Sequence, residues 1–293
     1  MARTILEAFK ELKSNLEITD LQISTVSTRQ LNIRNALKND LDISDSFLSG
    51  SYSRNTLIAP LYNADIDIFL VLNSKYFHHY NGLNGGQAGL LDYLKINLRK
   101  TYTKTPDISR NGQAVTIQFT DFNVDVIPAF YRQGGGFLIP NSISQTWLST
   151  DPKKHVEIFS TANKVHNGDL IPLIKMIKGW NRNINHHFRS FHLEVLVLQI
   201  LNGVKISDFP SGVRFFFDKG RKYIKTKNPD PAGYNEDVGN YINTNEKIDE
   251  AVSRFESAYN RALKAENNGA KGYIQEAITI WKQIFGDYFP AYG

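Results

Sequence analysis

At 293 residues, 41% of them hydrophobic and 22% charged, the chain is long enough for one large or two modest cored domains and has the composition of a soluble globular protein. It has no cysteine, which excludes disulfides and thiolate metal sites. Its 34 Lys and Arg against 29 Asp and Glu leave a net charge of +5, a mild excess that suits polyphosphate ligands but does not by itself imply a nucleic-acid partner.

No apolar run reaches the roughly 18 residues that a membrane helix needs. The N-terminus mixes charge with apolar residues at helical spacing and lacks the uninterrupted apolar stretch of a signal peptide. A cytoplasmic protein with no membrane partner is the expectation.

Residues 1–40 read as two helices around a polar break at Thr19 to Thr25, because Ile5, Phe9, Leu12 and Leu16 recur at three- and four-residue steps. Phe47-Leu48 then leads into Gly50-Ser51-Tyr52-Ser53-Arg54-Asn55-Thr56, and Ile66 to Leu72 is a short β-prone run. A helix is expected over Gln87 to Arg99. Two strands, Ala114 to Phe119 and Phe122 to Pro128, are separated by Thr120-Asp121 and read as a hairpin. Gly134-Gly135-Gly136 marks a turn before Phe137.

From Asp151 onward the pattern is helical: Lys153 to Asn163, Leu170 to Asn181, Ser190 to Leu201, Ile206 to Lys219, Asn245 to Ala265 and Ala270 to Phe285. One irregular stretch, Thr226 to Asn240, is rich in Asn, Asp, Pro and Gly. The expected architecture is α+β: a helical lead-in over 1–40, a mixed α/β domain over 41–150 and a helical domain over 151–293.

Asp65 and Asp67 stand two apart at the entrance of a strand, so their side chains share a face with their backbones roughly 6.5 to 7 Å apart. Two carboxylates there repel each other, and a divalent cation such as Mg²⁺, which prefers hard oxygen ligands, resolves the conflict. Asp125 lies in the apolar run Val124-Asp125-Val126-Ile127, where an unpaired charge is costly. If its strand lies beside the first, three carboxylates can hold two Mg²⁺ or Mn²⁺ ions roughly 4 Å apart, an arrangement for in-line displacement at phosphorus. Asp65, Asp67 and Asp125 are therefore the expected metal ligands and catalytic residues. Upstream, Gly50 lets the backbone approach a phosphate closely, Ser51 can donate to its oxygens, and Arg54 and Thr56 add donors. Taken singly, an Asp-x-Asp or a Gly-Ser is ordinary turn or surface chemistry. In this order, they point to a nucleotidyltransferase.

These residues resemble the polymerase-β-like nucleotidyltransferases and, more narrowly, the bacterial cyclic-oligonucleotide synthases (CD-NTases) related to cyclic GMP-AMP synthase and oligoadenylate synthetase. The resemblance runs from Ser49 to Thr56, through Ala64-Asp65-Ile66-Asp67-Ile68 and Val124 to Ala129. It continues in Ile139-Pro140-Asn141, Trp147, Thr150 to His155, Leu173 to Trp180 and Ser190 to Glu194. It implies a polymerase-β-like core with a mixed sheet and a helical C-terminal domain, two lobes around a cleft, with the lead-in packing on both. It also implies that nucleoside triphosphates (ATP, with GTP, UTP or CTP as further candidates) are joined into a cyclic di- or trinucleotide with pyrophosphate release. Such synthases act in bacterial anti-phage signalling, where a separate effector protein reads the product. By the same resemblance Lys178 and Ser190 contact a triphosphate, and Asp230-Pro231 and Asn235 lie near the cleft. Lys175 and Lys178 share one helix face, where a lysine is either a phosphate point charge or merely solvated. No nucleic-acid partner is required, and a monomer is expected.

Other conspicuous features read as structural. His78-His79 and His186-His187 are adjacent pairs that point in different directions, His192 suits packing or a hydrogen bond, and Phe215-Phe216-Phe217 suits a core. The basic run Arg214, Lys219, Arg221, Lys222, Lys225 and Lys227 is by default a solvated face, with nucleic-acid binding or a cleft rim as the other readings. Two alternatives to a cyclic product also stand: template-independent transfer to an RNA 3′ end, and a non-catalytic nucleotide or RNA sensor on the same fold.

Overall fold

The computed structural model describes residues 2–104 and 107–293; Met1, where the expected helical lead-in begins, lies outside the described residues. Two capping boxes open the chain. Thr4 caps α1 (Ile5–Asn15), accepting from the Glu7 N–H while Glu7 accepts from the Thr4 N–H. Thr19 and Gln22 do the same for α2 (Asp20–Leu37). The polar break expected at Thr19 to Thr25 is therefore only Leu16 to Thr19. The polar residues after it form the first turns of α2, whose exposed backbone donors the Thr-x-x-Gln box satisfies.

The chain divides into two compact units, Ile18–Glu157, and Met1–Glu17 together with Ile158–Gly293. The two lead-in helices belong to different ones because their apolar stripes have different partners. Phe9 of α1 meets Trp281 edge-on at 4.9 Å and Phe289 at 5.3 Å, whereas Val26, Ile33 and Leu37 of α2 join the core under the sheet.

In the first unit, β1 (Ile43–Leu48) leads through the single turn α3 (Gly50–Ser53) to β2 (Asp65–Leu72). The helices α4 (Ser74–Asn81) and α5 (Gly86–Thr101) follow, then β3 (Ile108–Asn111), β4 (Ala114–Gln118), β5 (Asn123–Tyr131), β6 (Phe137–Asn141) and β7 (Thr146–Thr150). Among the described residues these form a seven-stranded mixed sheet in the order β1-β2-β5-β4-β3, with β6 and β7 added beyond β5. The expected hairpin is the antiparallel pair β4–β5, and β2 runs parallel to β5 on its other side. The sequence reading had not anticipated α4, β3 or β7. The last two are short and half polar, so what makes them strands is the hydrogen-bond ladder a neighbour offers rather than their own propensity.

Burial alternates along the two central strands. Ile66, Ile68, Leu70 and Leu72 of β2, with Val124 and Val126 of β5 and Val115 and Ile117 of β4, enter the main core with Leu90, Leu91, Leu94 and Leu98 of α5. The opposite face carries Phe69, Val71 and Ala129, which pack with Phe137 and Phe47.

The second unit holds α1 and the helices after α6 (Pro152–Val165), in which the chain passes from one unit to the other. They are α7 (Leu170–Asn183), α8 (Ser190–Ile200), α9 (Phe209–Tyr223), α10 (Asn245–Ala270) and α11 (Ile274–Phe285). Trp180 of the nearly wholly buried α7 meets Phe217 at 4.9 Å and Phe255 at 5.3 Å. Gly220 lets α9 approach α10, since a Cβ there would lie 2.3 Å from the Phe255 ring. Helix α9 starts later than expected, at Phe209, because Asp208 accepts from the Ser211 N–H at 2.8 Å and so caps it. The basic run is largely paired: Arg214 with Glu266, Lys219 and Arg221 with Asp218, and Lys227 with Glu236. No helix among the described residues is long and apolar enough to cross a membrane.

The irregular stretch after α9 is ordered by its own acids. Asp237 accepts from the N–H groups of Asn228 and Gly239, and Asp230 accepts from that of Ala232. Tyr241 ties this loop to the start of α8: its hydroxyl accepts from the Arg189 N–H at 3.0 Å and lies 3.1 Å from Nδ1 of buried His192. Burial pushes the His192 pKa down to about 4, with the charge of Asp237 partly offsetting and that of Arg189 adding. Below pH 6.5 the unfolded chain therefore takes up a proton that the folded chain refuses until about pH 4. Stability should fall as pH drops through that window, by on the order of 3 kcal/mol at its lower end. Urea unfolding of wild type and His192→Gln at pH 7 and pH 4.5 checks this: the variant should lose distinctly less on acidification.

Candidate active site

The parallel register of β2 and β5 sets Asp65 opposite Asn123 and Asp67 opposite Asp125. On the other side of β5, Thr116 of β4 stands opposite Asp125 and Gln118 opposite Asn123. Residues paired across strands share a face, so one end of the sheet carries a polar patch three strands wide. Directly behind it, Ile66, Val124 and Ile117 point into the main core. The condition on which the three-carboxylate reading depended, adjacency of the two strands, is met.

Each carboxylate has a neighbour. Asp125 Oδ1 accepts from the Thr116 hydroxyl at 2.6 Å, and Asp65 Oδ1 accepts from the Asn123 carboxamide at 3.1 Å. Burial holds the Asp125 carboxyl above the ordinary carboxylate range; the Thr116 hydrogen bond opposes this and the charge of Asp65 adds to it. Asp67 lies against Gly50, where a Cβ would fall 1.8 Å from its Oδ2, and its backbone carbonyl accepts from the Ser49 N–H at 2.8 Å. Gly50 also has φ +63°, a conformation that side-chain-bearing residues seldom adopt.

The remaining residues of that loop divide by role. Ser51 is half-buried at the turn, and its carbonyl accepts from the N–H groups of Thr56 and Leu57 at 2.9 and 3.0 Å. The fully buried Thr56 adds its hydroxyl to the same carbonyl at 3.4 Å, and Arg54 is buried as well, so both shape the loop from within.

Lys178 is buried with its ammonium 3.1 Å from Glu194 Oε1, and Lys175 is buried with Glu17 Oε2 at 2.5 Å. The helix face those lysines share is an interior one, which excludes the solvated reading. Ser190 is exposed as the first residue of α8. Asn235 is exposed in the loop after α9; its carbonyl accepts from the Asp230 N–H and its side chain from the Asp237 N–H.

The oxygen donors at the sheet end (carboxylates, a carboxamide and a hydroxyl) suit a hard cation such as Mg²⁺ or Mn²⁺ and not a soft one. Among the described residues, no three His, Cys, Asp or Glu side chains converge on one point, since the carboxylates lean toward Asn123, Gly50 and Thr116. Their shared face and their all-oxygen chemistry are compatible with such ions, and Asp65, Asp67 and Asp125 are the residues that would hold them. No sequence motif singles out Thr116 or Asn123, and Glu194 stands in the Ser190 to Glu194 segment without a role of its own. Strand register brings Thr116 and Asn123 to the acids, and helix packing brings Glu194 to Lys178.

Residues 4–163, more than half of the chain, match the Second Messenger Oligonucleotide or Dinucleotide Synthetase domain (SMODS). The Cyclic AMP-AMP-AMP synthase of an Acinetobacter species is 28% identical, the match covering 98% of this chain and 86% of that one. Two solved structures share the fold. E. coli CdnC with ATP has a TM-score of 0.70 at 18% identity, covering 98% of this chain and 99% of its own. The Bradyrhizobium diazoefficiens CD-NTase CdnG in complex with GTP has a TM-score of 0.72 at 12% identity, covering 96% and 95%. The chain belongs to the Second Messenger Oligonucleotide or Dinucleotide Synthetase family, and is a nucleotidyltransferase of the CD-NTase type on a polymerase-β-like fold.

Proposed function

We propose that the chain joins nucleoside triphosphates into a cyclic di- or trinucleotide, releasing pyrophosphate at each transfer, and that a separate effector protein reads the product in anti-phage signalling. ATP is the first candidate substrate, because the Acinetobacter relative is named for an all-adenine product and the E. coli relative was solved with ATP. The observation that carries the reading is the register that sets Asp67 opposite Asp125, with Asp65 on the same face and Gly50 against Asp67.

In this reading Asp65, Asp67 and Asp125 hold two Mg²⁺ or Mn²⁺ ions. Such ions, when bound, lower the pKa of an attacking sugar hydroxyl and neutralise charge on the transferred and leaving phosphates. The chain does the rest by placement. Gly50 offers a side-chain-free approach to a phosphate, Ser51 donates to its oxygens, and Arg54 and Thr56 hold the loop in shape. In the helical unit Lys178, Ser190 and Asn235 bind nucleotide, and Glu194 pairs with the Lys178 ammonium and orients it.

Incubation with all four triphosphates and Mg²⁺ or Mn²⁺, followed by phosphatase treatment and mass spectrometry, should reveal a phosphatase-resistant cyclic product. Asp65→Asn with Asp67→Asn should reduce it to background. Extension of an added RNA instead, or unchanged product from the double variant, would overturn the reading.

Gly50→Ala puts a methyl group against the Asp67 carboxylate in a left-handed conformation, costing about 1–3 kcal/mol. Denaturant unfolding should register that loss, and turnover should drop by more than the folded fraction does.

Lys178→Met removes the cation that buried Glu194 faces, a change worth about 3–5 kcal/mol of stability. Lys178→Met with Glu194→Leu should recover most of that stability on thermal unfolding. Product formation should stay low in both variants if Lys178 binds phosphate, and return in the double variant if its role is structural.

A further inference from the structure

Asp65 and Asp125 each lean on a neutral polar residue one strand away. Thr116 stands directly opposite Asp125 in the β4–β5 ladder, and its hydroxyl donates to Oδ1 at 2.6 Å. It is only 8% exposed, and its neighbours Val115 and Ile117 are buried in the main core. The backbone at Thr116 is thus held on both sides, and a β-branched side chain has little χ1 freedom of its own. The hydroxyl direction is set by the sheet. Asn123 is placed in the same way: it stands opposite Asp65 in the β2–β5 ladder and donates from Nδ2 to Oδ1 at 3.1 Å.

These bonds do something the carboxylates cannot do for themselves. Clustered carboxylates repel and would swing apart toward solvent, losing the orientation a hard cation needs. A neutral donor engages one oxygen and restricts rotation without cancelling the negative charge. We propose that Thr116 and Asn123 are positioning residues that aim the Asp125 and Asp65 carboxylates and thereby set the affinity of the site for a hard divalent cation. This rests on the reading of Asp65, Asp67 and Asp125 as the cation's holders. Neither residue touches the reacting atoms in this role, and both act through the acid beside them.

The test measures Mn²⁺ binding to the full chain with a non-hydrolysable ATP analogue, by the electron paramagnetic resonance signal of free Mn²⁺. Circular dichroism and thermal unfolding without added metal check that each variant folds. Thr116→Val keeps the shape and removes the donor, and should weaken Mn²⁺ binding about 10-fold or more, the usual effect of losing a partner behind a metal ligand. Thr116→Ser restores the hydroxyl and should bind close to wild type. Asn123→Ala should weaken binding in the same direction, and carries the test alone if Thr116→Val does not fold. Wild-type affinity in folded Thr116→Val and Asn123→Ala, with binding lost in Asp125→Asn, would overturn the positioning role and leave the cation site standing. Wild-type Mn²⁺ affinity in Asp125→Asn would remove the cation site, and this proposal with it.

Discussion

The parallel pairing of β2 with β5 carries both the core and the candidate site. In one register, Ile66 and Ile68 enter the core beside Val124 and Val126, while Asp65 and Asp67 face away beside Asn123 and Asp125. A slip of one residue would turn every side chain of a strand to the other face, burying carboxylates and exposing isoleucines. The hydrophobic energy that selects the register therefore also places the acids. Their mutual repulsion is tolerated because moving them would cost far more burial than it relieves.

The polar face does not stay polar. Two residues farther along the same strands, Phe69 and Ile127 replace the acids, and the surface closes into the small cluster of Phe47, Phe69 and Phe137. The carboxylates thus sit at the rim of an apolar layer, which accounts for the upward push on Asp125. Gly50 bounds the patch on the β1 side. Its left-handed backbone and missing side chain let the turn close over Asp67, and the same features suit a phosphate approach.

The helical unit treats its charges differently. Lys178 and Lys175 are interior, paired with Glu194 and Glu17, and the loop after α9 is held by Asp230, Asp237 and Tyr241. A buried lysine with a fully buried glutamate is expensive to maintain for stability alone, since a well-packed apolar pair could replace it.

Features that depend on near neighbours were legible in the chain: the Asp-x-Asp at a strand entrance, the lone acid in an apolar strand, the β4–β5 hairpin, most of the C-terminal helices, and the motif order that carries the family resemblance. The start of α2 was missed although the Thr-x-x-Gln box was there to read, and polar residues after Thr19 stood in for a break. The packed chain was needed to show which strand β5 adopts as its parallel partner, that Thr116 and Asn123 stand behind the acids, and that the Lys175–Lys178 face is interior. It also split the lead-in helices between the two units. Most of those facts join residues far apart in the chain, such as Asp65 with Asn123. Local patterning says which face of an element seeks burial, but its partner and register are settled by packing the whole chain at once.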